Sequence, residues 1–282
     1  MDSEKTSFLE TPQGGKGKII GIISLKGGVG KTSSVANLGA VLASEFGKKV
    51  LVIDANFSAP NLSLHLGLVE PAATIHDILL DKAEVNEAIY EHEAGFHLIP
   101  GAYVSRKVKP FKLKQKISYL KDYYDIILID SSPNLNEEIL ATMIASDELL
   151  VVTSPDYPTL STTLRAVRLA KQRRTPITGL ILNRVRNKKF ELSIEDIEEA
   201  AQVPVLSVLP EDIRVQEAIA NTTPVALHKP KSNAAIEYKK LAACLLGERY
   251  KDPRLWSRVK SLFKKGIAKD NINRLLMKDE RK

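Results

Sequence analysis

The stretch Ser24-Leu25-Lys26-Gly27-Gly28-Val29-Gly30-Lys31-Thr32-Ser33 decides the fold of this chain. An apolar run at residues 18–25 leads into it, and a helical pattern at residues 31–46 follows. Between a strand and a helix, a glycine-rich loop lets backbone N–H groups converge on phosphate oxygens, and the helix N-terminus adds partial positive charge. We therefore predict a phosphate-binding loop, or P-loop. The alternative is a glycine-rich turn that only caps a helix, and the agreement of residue types, order and placement disfavours it.

P-loop chemistry assigns a role to each part of this stretch. Lys31 is expected to place a positive charge against the β- and γ-phosphates, and Thr32 to offer a hydroxyl ligand to Mg²⁺. Two details depart from the generic G-x-x-x-x-G-K-[ST] pattern: Leu25 stands at the first glycine position, and an additional lysine, Lys26, precedes the glycine pair. The residues expected to hold the phosphates are Gly27, Gly28, Val29, Gly30, Lys31, Thr32 and Ser33.

Apolar runs of strand length alternate with helical stretches along the rest of the chain. Several runs are apolar throughout, as in strands buried on both faces, and the alternation implies right-handed βαβ crossovers. We predict an α/β P-loop NTPase fold, with a mostly parallel sheet of about seven strands and helices on both faces. The predicted strands are residues 18–25, 49–54, 96–99, 125–130, 149–154, 177–183 and 204–208. The predicted helices are residues 31–46, 85–91, 111–122, 135–145, 159–173, 193–201, 211–220 and 233–247.

Polar residues stand where three of the predicted strands end. Asp54, Asp130 and Asn183 each follow an apolar run. Ligands of parallel sheets bind at the carboxyl ends of the strands, so these side chains are candidates for the same site as the P-loop.

The K-G-G-x-G-K-[ST] form of the loop, from Lys26 to Thr32, resembles the deviant Walker A motif of the ParA/MinD family of dimerising ATPases, and MinD-type members in particular. The resemblance covers about residues 18–247 and implies ATP and Mg²⁺ as cofactors and a homodimer that forms on ATP binding. In that family the extra lysine reaches the nucleotide on the partner subunit. By this resemblance Lys26 is a catalytic residue beside Lys31, since a second cation at the γ-phosphate stabilises charge in the transition state.

Further blocks match the family in order. Residues 50–56 match the second strand and switch I, and residues 126–133 match the Walker B strand and switch II. The resemblance thus assigns Mg²⁺ to Thr32, Asp54 and Asp130. Residues 181–184 and 209–212 match the segments around the adenine ring. They add Asn183, Pro210 and Asp212 to the nucleotide site.

Asn56 is the important departure from the family pattern. The family carries a carboxylate here that helps to position the attacking water, and Asp54 and Asn56 complete our catalytic set. An amide can orient water through its carbonyl, but it is a far weaker proton acceptor than a carboxylate. We therefore expect slow ATP hydrolysis, or hydrolysis that depends on a partner.

The net charge of +7 lies entirely in the C-terminal tail. From Glu248 to Lys282 the chain has 12 Lys and Arg against five Asp and Glu, an excess equal to that of all 282 residues. The body before it is therefore neutral. We predict a flexible N-terminal segment at residues 1–17, an ATPase domain at 18–247 and a basic tail at 248–282.

Within the tail, the segment from Arg254 to Ile267 has helical periodicity. With about 100° per residue, its apolar residues share one face of about 140°, and basic residues occupy the other. This pattern is typical of a helix that lies on an anionic membrane, and MinD-type family members end in such a helix. The alternative is a helix docked on its own domain. The apolar residues are Leu255, Trp256, Val259, Leu262, Phe263 and Ile267.

A second basic stretch runs from Arg106 to Lys121 and has few aromatic residues. A solvated helix face is the favoured interpretation, and DNA backbone contact is the alternative, since ParA-type relatives bind DNA through basic surface residues.

Composition limits the class of protein and its cellular location. Hydrophobic residues at 44% and charged residues at 27% are typical of globular proteins, and one Cys cannot form an internal disulfide. No secretory signal and no spanning run of about 18 apolar residues is present. We expect a cytoplasmic protein, peripheral on the inner face of the cell membrane.

Taken together, these features favour a MinD-like ATPase: an ATP-gated dimeric switch that binds the membrane reversibly and positions or recruits an unidentified partner, for instance in cell division. The alternative within the family is a ParA-like DNA-partitioning ATPase. Alternatives of another class are a P-loop metabolic enzyme and a weakly hydrolysing nucleotide-binding scaffold.

Overall fold

The computed structural model describes residues 8–9, 17–103 and 107–254. These residues form an eight-stranded sheet in the order β3-β4-β2-β5-β1-β6-β7-β8, in which only β3 is antiparallel to its neighbour. The predicted α/β fold with a mostly parallel sheet is confirmed. The strands are β1 (Lys18–Ile23), β2 (Val50–Ala55), β3 (Tyr90–Glu91), β4 (His97–Ile99), β5 (Ile126–Ser131), β6 (Glu148–Thr153), β7 (Ile177–Val185) and β8 (Val205–Pro210).

Helices cover both faces of this sheet because alternate strand residues point in opposite directions. In β1, Ile20 and Ile22 pack in the cluster that contains α1 and α10, whereas Ile19 and Ile23 pack toward the other face. The helices are α1 (Lys31–Ser44), α2 (Leu62–His65), α3 (Ile75–Leu79), α4 (Leu113–Ile117), α5 (Glu137–Ala145), α6 (Tyr157–Gln172), α7 (Ile194–Ala201), α8 (Ile213–Ala220), α9 (Val225–His228) and α10 (Asn233–Leu245).

The strand order brings distant parts of the sequence to one edge. Strands β2, β5 and β1 are neighbours, and their register pairs Asp54 with Asp130. All six residues of β2 and of β5 are buried. Because the three strands are parallel, both aspartates end level with the start of the P-loop that follows β1.

Two predicted helices differ from the structure. The helix predicted at residues 85–91 is wrong: a 3-10 turn at Val85–Ala88 precedes β3, because Tyr90 and Glu91 pair with β4 in a short hairpin. The helix predicted at 111–122 is broken into α4 and a 3-10 turn on each side of it. The sequence prediction also missed α2, α3 and α9, which have only four or five residues each.

The described end of the chain folds back onto α10. The guanidinium of Arg254 donates to Glu237 at 2.8 Å and to Asn233 at 3.0 Å, and Lys240 pairs with Asp252 at 2.6 Å. Residues 255–282, with almost all of the predicted amphipathic helix, lie outside the described residues, as do residues 1–7 and 10–16. In the described ranges, no helix has the length and apolar character needed to cross a membrane.

Candidate functional site

The P-loop leaves β1 as an open cradle above the N-terminus of α1. Gly28 and Gly30 have φ of 74° and 97°, in the left-handed region that favours glycine. A Cβ on Gly27 or Gly28 would meet no atom of the described residues within 4 Å, so as far as these residues go the outer side of the loop is open to a ligand. On Gly30 a Cβ would lie 2.2 Å from the side-chain nitrogen of Asn183, so the loop is packed tightly on that side.

Three charged side chains are buried beneath the loop. Lys31 is 7% exposed, Asp54 is 0% exposed and Asp130 is 1% exposed. Burial lowers the pKa of Lys31, and the negative charges of Asp130 and Asp54 oppose this shift. Burial likewise raises the pKa of Asp54 and Asp130, and the charge of Asp130 raises that of Asp54 further. A polyanion and a divalent cation brought here would meet complementary charges at close range.

Thr32 and Asp130 form a ready set of oxygen ligands. The Thr32 hydroxyl lies 2.7 Å from Asp130 Oδ2 and 3.2 Å from Asn61 Oδ1. The other carboxylate oxygen of Asp130, Oδ1, is buried, and no described residue donates to it. Hydroxyl, carboxylate and amide oxygens are the ligands that Mg²⁺ prefers, so these residues fit the metal.

Asp54 organises the loop that follows β2. Its Oδ1 accepts the N–H of Asn56 at 3.1 Å, and its Oδ2 accepts those of Asn61 and Leu62 at 3.0 Å each. We call residues 56–61 the switch I loop, and residues 132–136, which follow β5, the switch II loop. Asp54 lies beside Asp130 as expected, and its metal role stays a prediction.

Asn56 is bound within the switch I loop itself. Its side-chain nitrogen donates to the carbonyl of Ala59, and the residue is only 8% exposed. The amide therefore takes part in shaping the loop, which leaves the carbonyl oxygen as the end of the side chain suited to orient a water.

Lys26 is bound by residues of its own chain. Its ammonium lies 3.3 Å from Asp156 Oδ1 and donates to the hydroxyl of Thr159, at the start of α6. Burial would raise the pKa of Asp156, but hydrogen bonds from Ser154, Thr159 and Lys26 outweigh this and lower it to about 2. Asp156 is therefore charged at neutral pH, and it holds Lys26 at the start of α6.

The predicted adenine-site residues belong to β7, β8 and the start of α8, and the two strands lie on the other side of β1 from Asp54 and Asp130. Asn183 is in β7, and its side-chain nitrogen donates to the carbonyl of Val29 at 2.7 Å. Pro210 ends β8, and Asp212 caps α8 by accepting the N–H of Arg214 at 3.0 Å. Their contacts with a nucleotide remain a prediction.

Sequence reasoning missed Asn61 and Asp156. Asn61 follows Asp54 by seven residues in a loop, and Asp156 resembles an ordinary helix cap. A cap signal was readable at Asp156, since an Asp directly precedes the helix and a proline lies in its first turn. Only the tertiary structure brings the two residues to Thr32 and Lys26.

Three lysines of the basic stretch from Arg106 to Lys121 form ion pairs where the structure describes it. Lys112 and Lys116 both lie 2.6 Å from carboxylate oxygens of Asp81, and Lys121 lies 2.9 Å from Asp147. These pairings favour the interpretation as a solvated surface.

Comparisons with known proteins agree with this site. A family model described as an AAA domain matches residues 17–176. An uncharacterized ATP-binding protein of Methanocaldococcus jannaschii is 40% identical over 235 residues, which cover 82% of this chain and 88% of that protein. The septum site-determining protein MinD of Synechocystis is 30% identical over 240 residues, which cover 82% of this chain and 90% of that protein.

Solved structures give the same answer. The cell division ATPase MinD of Pyrococcus furiosus is 37% identical, has a TM-score of 0.77, and is matched over 80% of this chain and 97% of its own. MinD of Pyrococcus horikoshii, complexed with Mg-ADP, is 35% identical and has a TM-score of 0.77. The match covers 81% of this chain and 95% of that one. The MinC:MinD cell division complex of Aquifex aeolicus includes a chain that is 27% identical and has a TM-score of 0.74. The match covers 84% of this chain and 98% of that one.

Fold, P-loop and buried carboxylates together define a member of the P-loop class of ATPases. More narrowly, the chain belongs to the ParA/MinD family, as its sequence motif predicts, and within that family it resembles the MinD-type members.

The tight side of the P-loop provides a test. Gly30→Ala would place a Cβ against Asn183 at a positive φ, so we expect the loop to shift and nucleotide affinity to fall at least about tenfold. Titration with a fluorescent ADP analogue measures this. The matched control is Gly47→Ala, since Gly47 has φ of 60° and open space around its Cβ position. Equal affinities of the two variants would contradict the role given to the loop.

Proposed function

We propose that this chain is an ATP-gated dimeric switch, a MinD-like ATPase that attaches reversibly to an anionic membrane surface and there positions or recruits a partner protein. The observation that carries the proposal is the placement of Lys26. This lysine is part of the P-loop, and Asp156 and Thr159 of the same chain hold it.

ATP and Mg²⁺ are the cofactors that this site fits. Mg²⁺, when bound, would neutralise part of the negative charge of the phosphates. Thr32 and Asp130 would hold the ion, and the backbone of residues 27–33 would hold the phosphates. Lys31 is already desolvated, so its charge acts on the phosphates at low dielectric. MinD of Pyrococcus horikoshii in complex with Mg-ADP supports this assignment.

Dimerisation would follow because Asp156 and the γ-phosphate of a nucleotide on a second copy compete for Lys26. A γ-phosphate on a second copy offers this ammonium more negative charge than the single carboxylate of Asp156 does. ATP thereby favours the dimer, whereas ADP, which lacks that phosphate, leaves Lys26 with Asp156. Lys26 would then stabilise the charge that develops when the partner's ATP is hydrolysed.

Slow or partner-stimulated hydrolysis completes the switch. Asn56 is a poor proton acceptor, so turnover relies on how well the loops position a water and the phosphate. A partner that binds these loops and improves their placement would accelerate hydrolysis and return the chain to the monomer. The MinC:MinD complex of Aquifex aeolicus supports a protein partner.

Membrane attachment is assigned to the basic tail of residues 248–282, as distinct from the ATPase domain of residues 18–247. One short amphipathic helix binds a bilayer weakly, whereas two on one dimer bind far more tightly through effective concentration. Nucleotide state would thus set location: the dimer at the inner face of the cell membrane, the monomer in the cytoplasm.

The role of Lys26 is tested with two variants. Lys26→Ala removes the cation that bridges the subunits, so we expect no dimer with ATP in sedimentation velocity. Asp156→Asn keeps an oxygen to cap α6 but releases Lys26, so the dimer is expected at lower ATP concentrations than for the wild type. Asp122→Asn, at an exposed position away from the site, is the charge-matched control. Dimerisation of Lys26→Ala like that of the wild type would rule out the bridging role.

The membrane role is tested by co-sedimentation with vesicles of phosphatidylglycerol and phosphatidylcholine. We expect binding with ATP, little binding with ADP, and none after deletion of residues 248–282. Replacing Leu262 and Phe263 by Ser keeps the charge of the tail and should also abolish binding, because the apolar face is lost. Equal binding to vesicles with ATP and with ADP would contradict the proposed switch. Salt-sensitive DNA retention that survives the deletion would favour a ParA-like function instead.

A further inference from the structure

Glu138 is a buried carboxylate at the start of α5, directly after the switch II loop. The residue is 7% exposed, whereas its neighbour Glu137 is exposed. Its Oε1 accepts the hydroxyl of Ser58. Its Oε2 is also buried, and no described residue donates to it. Burial of a carboxylate with only part of its hydrogen bonds is unfavourable, so the presence of Glu138 calls for a reason other than stability.

The bond between Ser58 and Glu138 joins the two switch loops. Ser58 lies in the switch I loop, two residues after Asn56. The loops leave neighbouring parallel strands in register, with Asp54 opposite Asp130 and Ala55 opposite Ser131. Among the hydrogen bonds that the structure describes, this one links the loop that carries Asn56 to the segment that follows Asp130.

Both ends of this link are anchored. On the switch I side, Asp54 accepts the N–H groups of Asn61 and Leu62. On the other side, Asn136 caps α5 and accepts the N–H of Glu138 itself at 3.1 Å. A bond between two anchored turns transmits a displacement of one loop to the other.

We propose that Glu138 is a positioning residue for ATP hydrolysis, which acts through Ser58 and holds the Asn56 loop in place beside Asp130. The inference rests on the ATPase function proposed above. Because Asn56 cannot replace a carboxylate as a proton acceptor, hydrolysis depends on loop placement, and a small displacement of the loop slows turnover.

The test uses the full-length chain with Ser58→Ala, Glu138→Met and the double variant. We expect each to lower kcat about tenfold, with KM for ATP changed less than about twofold, because the loop positions the reaction without holding the nucleotide. The double variant should be no slower than either single variant, since both break the same link. Ser58→Thr keeps the hydroxyl and should restore turnover, and Glu137→Gln on the same helical turn should match the wild type.

Thermal denaturation separates positioning from a structural role. Ser58 is exposed and Glu138→Met removes the buried carboxylate, so the double variant leaves no buried oxygen of this pair without a donor. It should therefore melt no lower than the wild type although it turns over slowly. Turnover of Ser58→Ala within about twofold of the wild type would overturn the inference. Losses of kcat that follow losses of melting temperature and nucleotide affinity would overturn it as well. A wild-type chain that neither binds nor hydrolyses ATP would overturn the proposed function, and this inference with it.

Discussion

The burial of Lys31 beside the two carboxyl groups of Asp54 and Asp130 is the constraint on which the rest of this structure depends. Lys31, Asp54 and Asp130 are each more than nine-tenths buried at one edge of the sheet. An isolated charge there would be strongly unfavourable, so Lys31 requires the carboxylates nearby and the carboxylates require Lys31, although the two aspartates repel each other. The strand order β2-β5-β1 meets that requirement, since it places the ends of two aspartate strands beside the P-loop strand. A site that holds such charges before any ligand arrives is already organised for a polyanion and a divalent cation.

Two further polar contacts lie around this centre. The pair between Lys26 and Asp156 keeps the second lysine on its own subunit. The bond between Ser58 and Glu138 ties the two switch loops together. Lys26 and Asp156 are both partly exposed, so their pair contributes little to stability and a competing phosphate can replace it. We propose that the first contact controls dimerisation and that the second controls the rate of hydrolysis.

The sequence predicted the centre of this protein better than its periphery. The P-loop and the six longer parallel strands, β1, β2 and β5 to β8, were readable because glycine spacing and unbroken apolar runs are local signals. Residues 85–91 were wrongly predicted as helix because the pairing that makes Tyr90 and Glu91 a strand comes from β4. The roles of Asn61, Asp156 and Glu138 escaped prediction for a similar reason. Each depends on a partner at least 29 residues away, which only the folded sheet brings near.

The central claim is that Lys26 exchanges a carboxylate on its own subunit for a nucleotide on a second copy. The most direct measurement is a crystal structure of the full chain with Mg²⁺ and a non-hydrolysable ATP analogue. We expect a dimer in which the Lys26 ammonium has left Asp156 and lies within hydrogen-bonding distance of the nucleotide phosphates on the other copy. A nucleotide-bound structure in which Lys26 still contacts Asp156 and Thr159 would contradict the account.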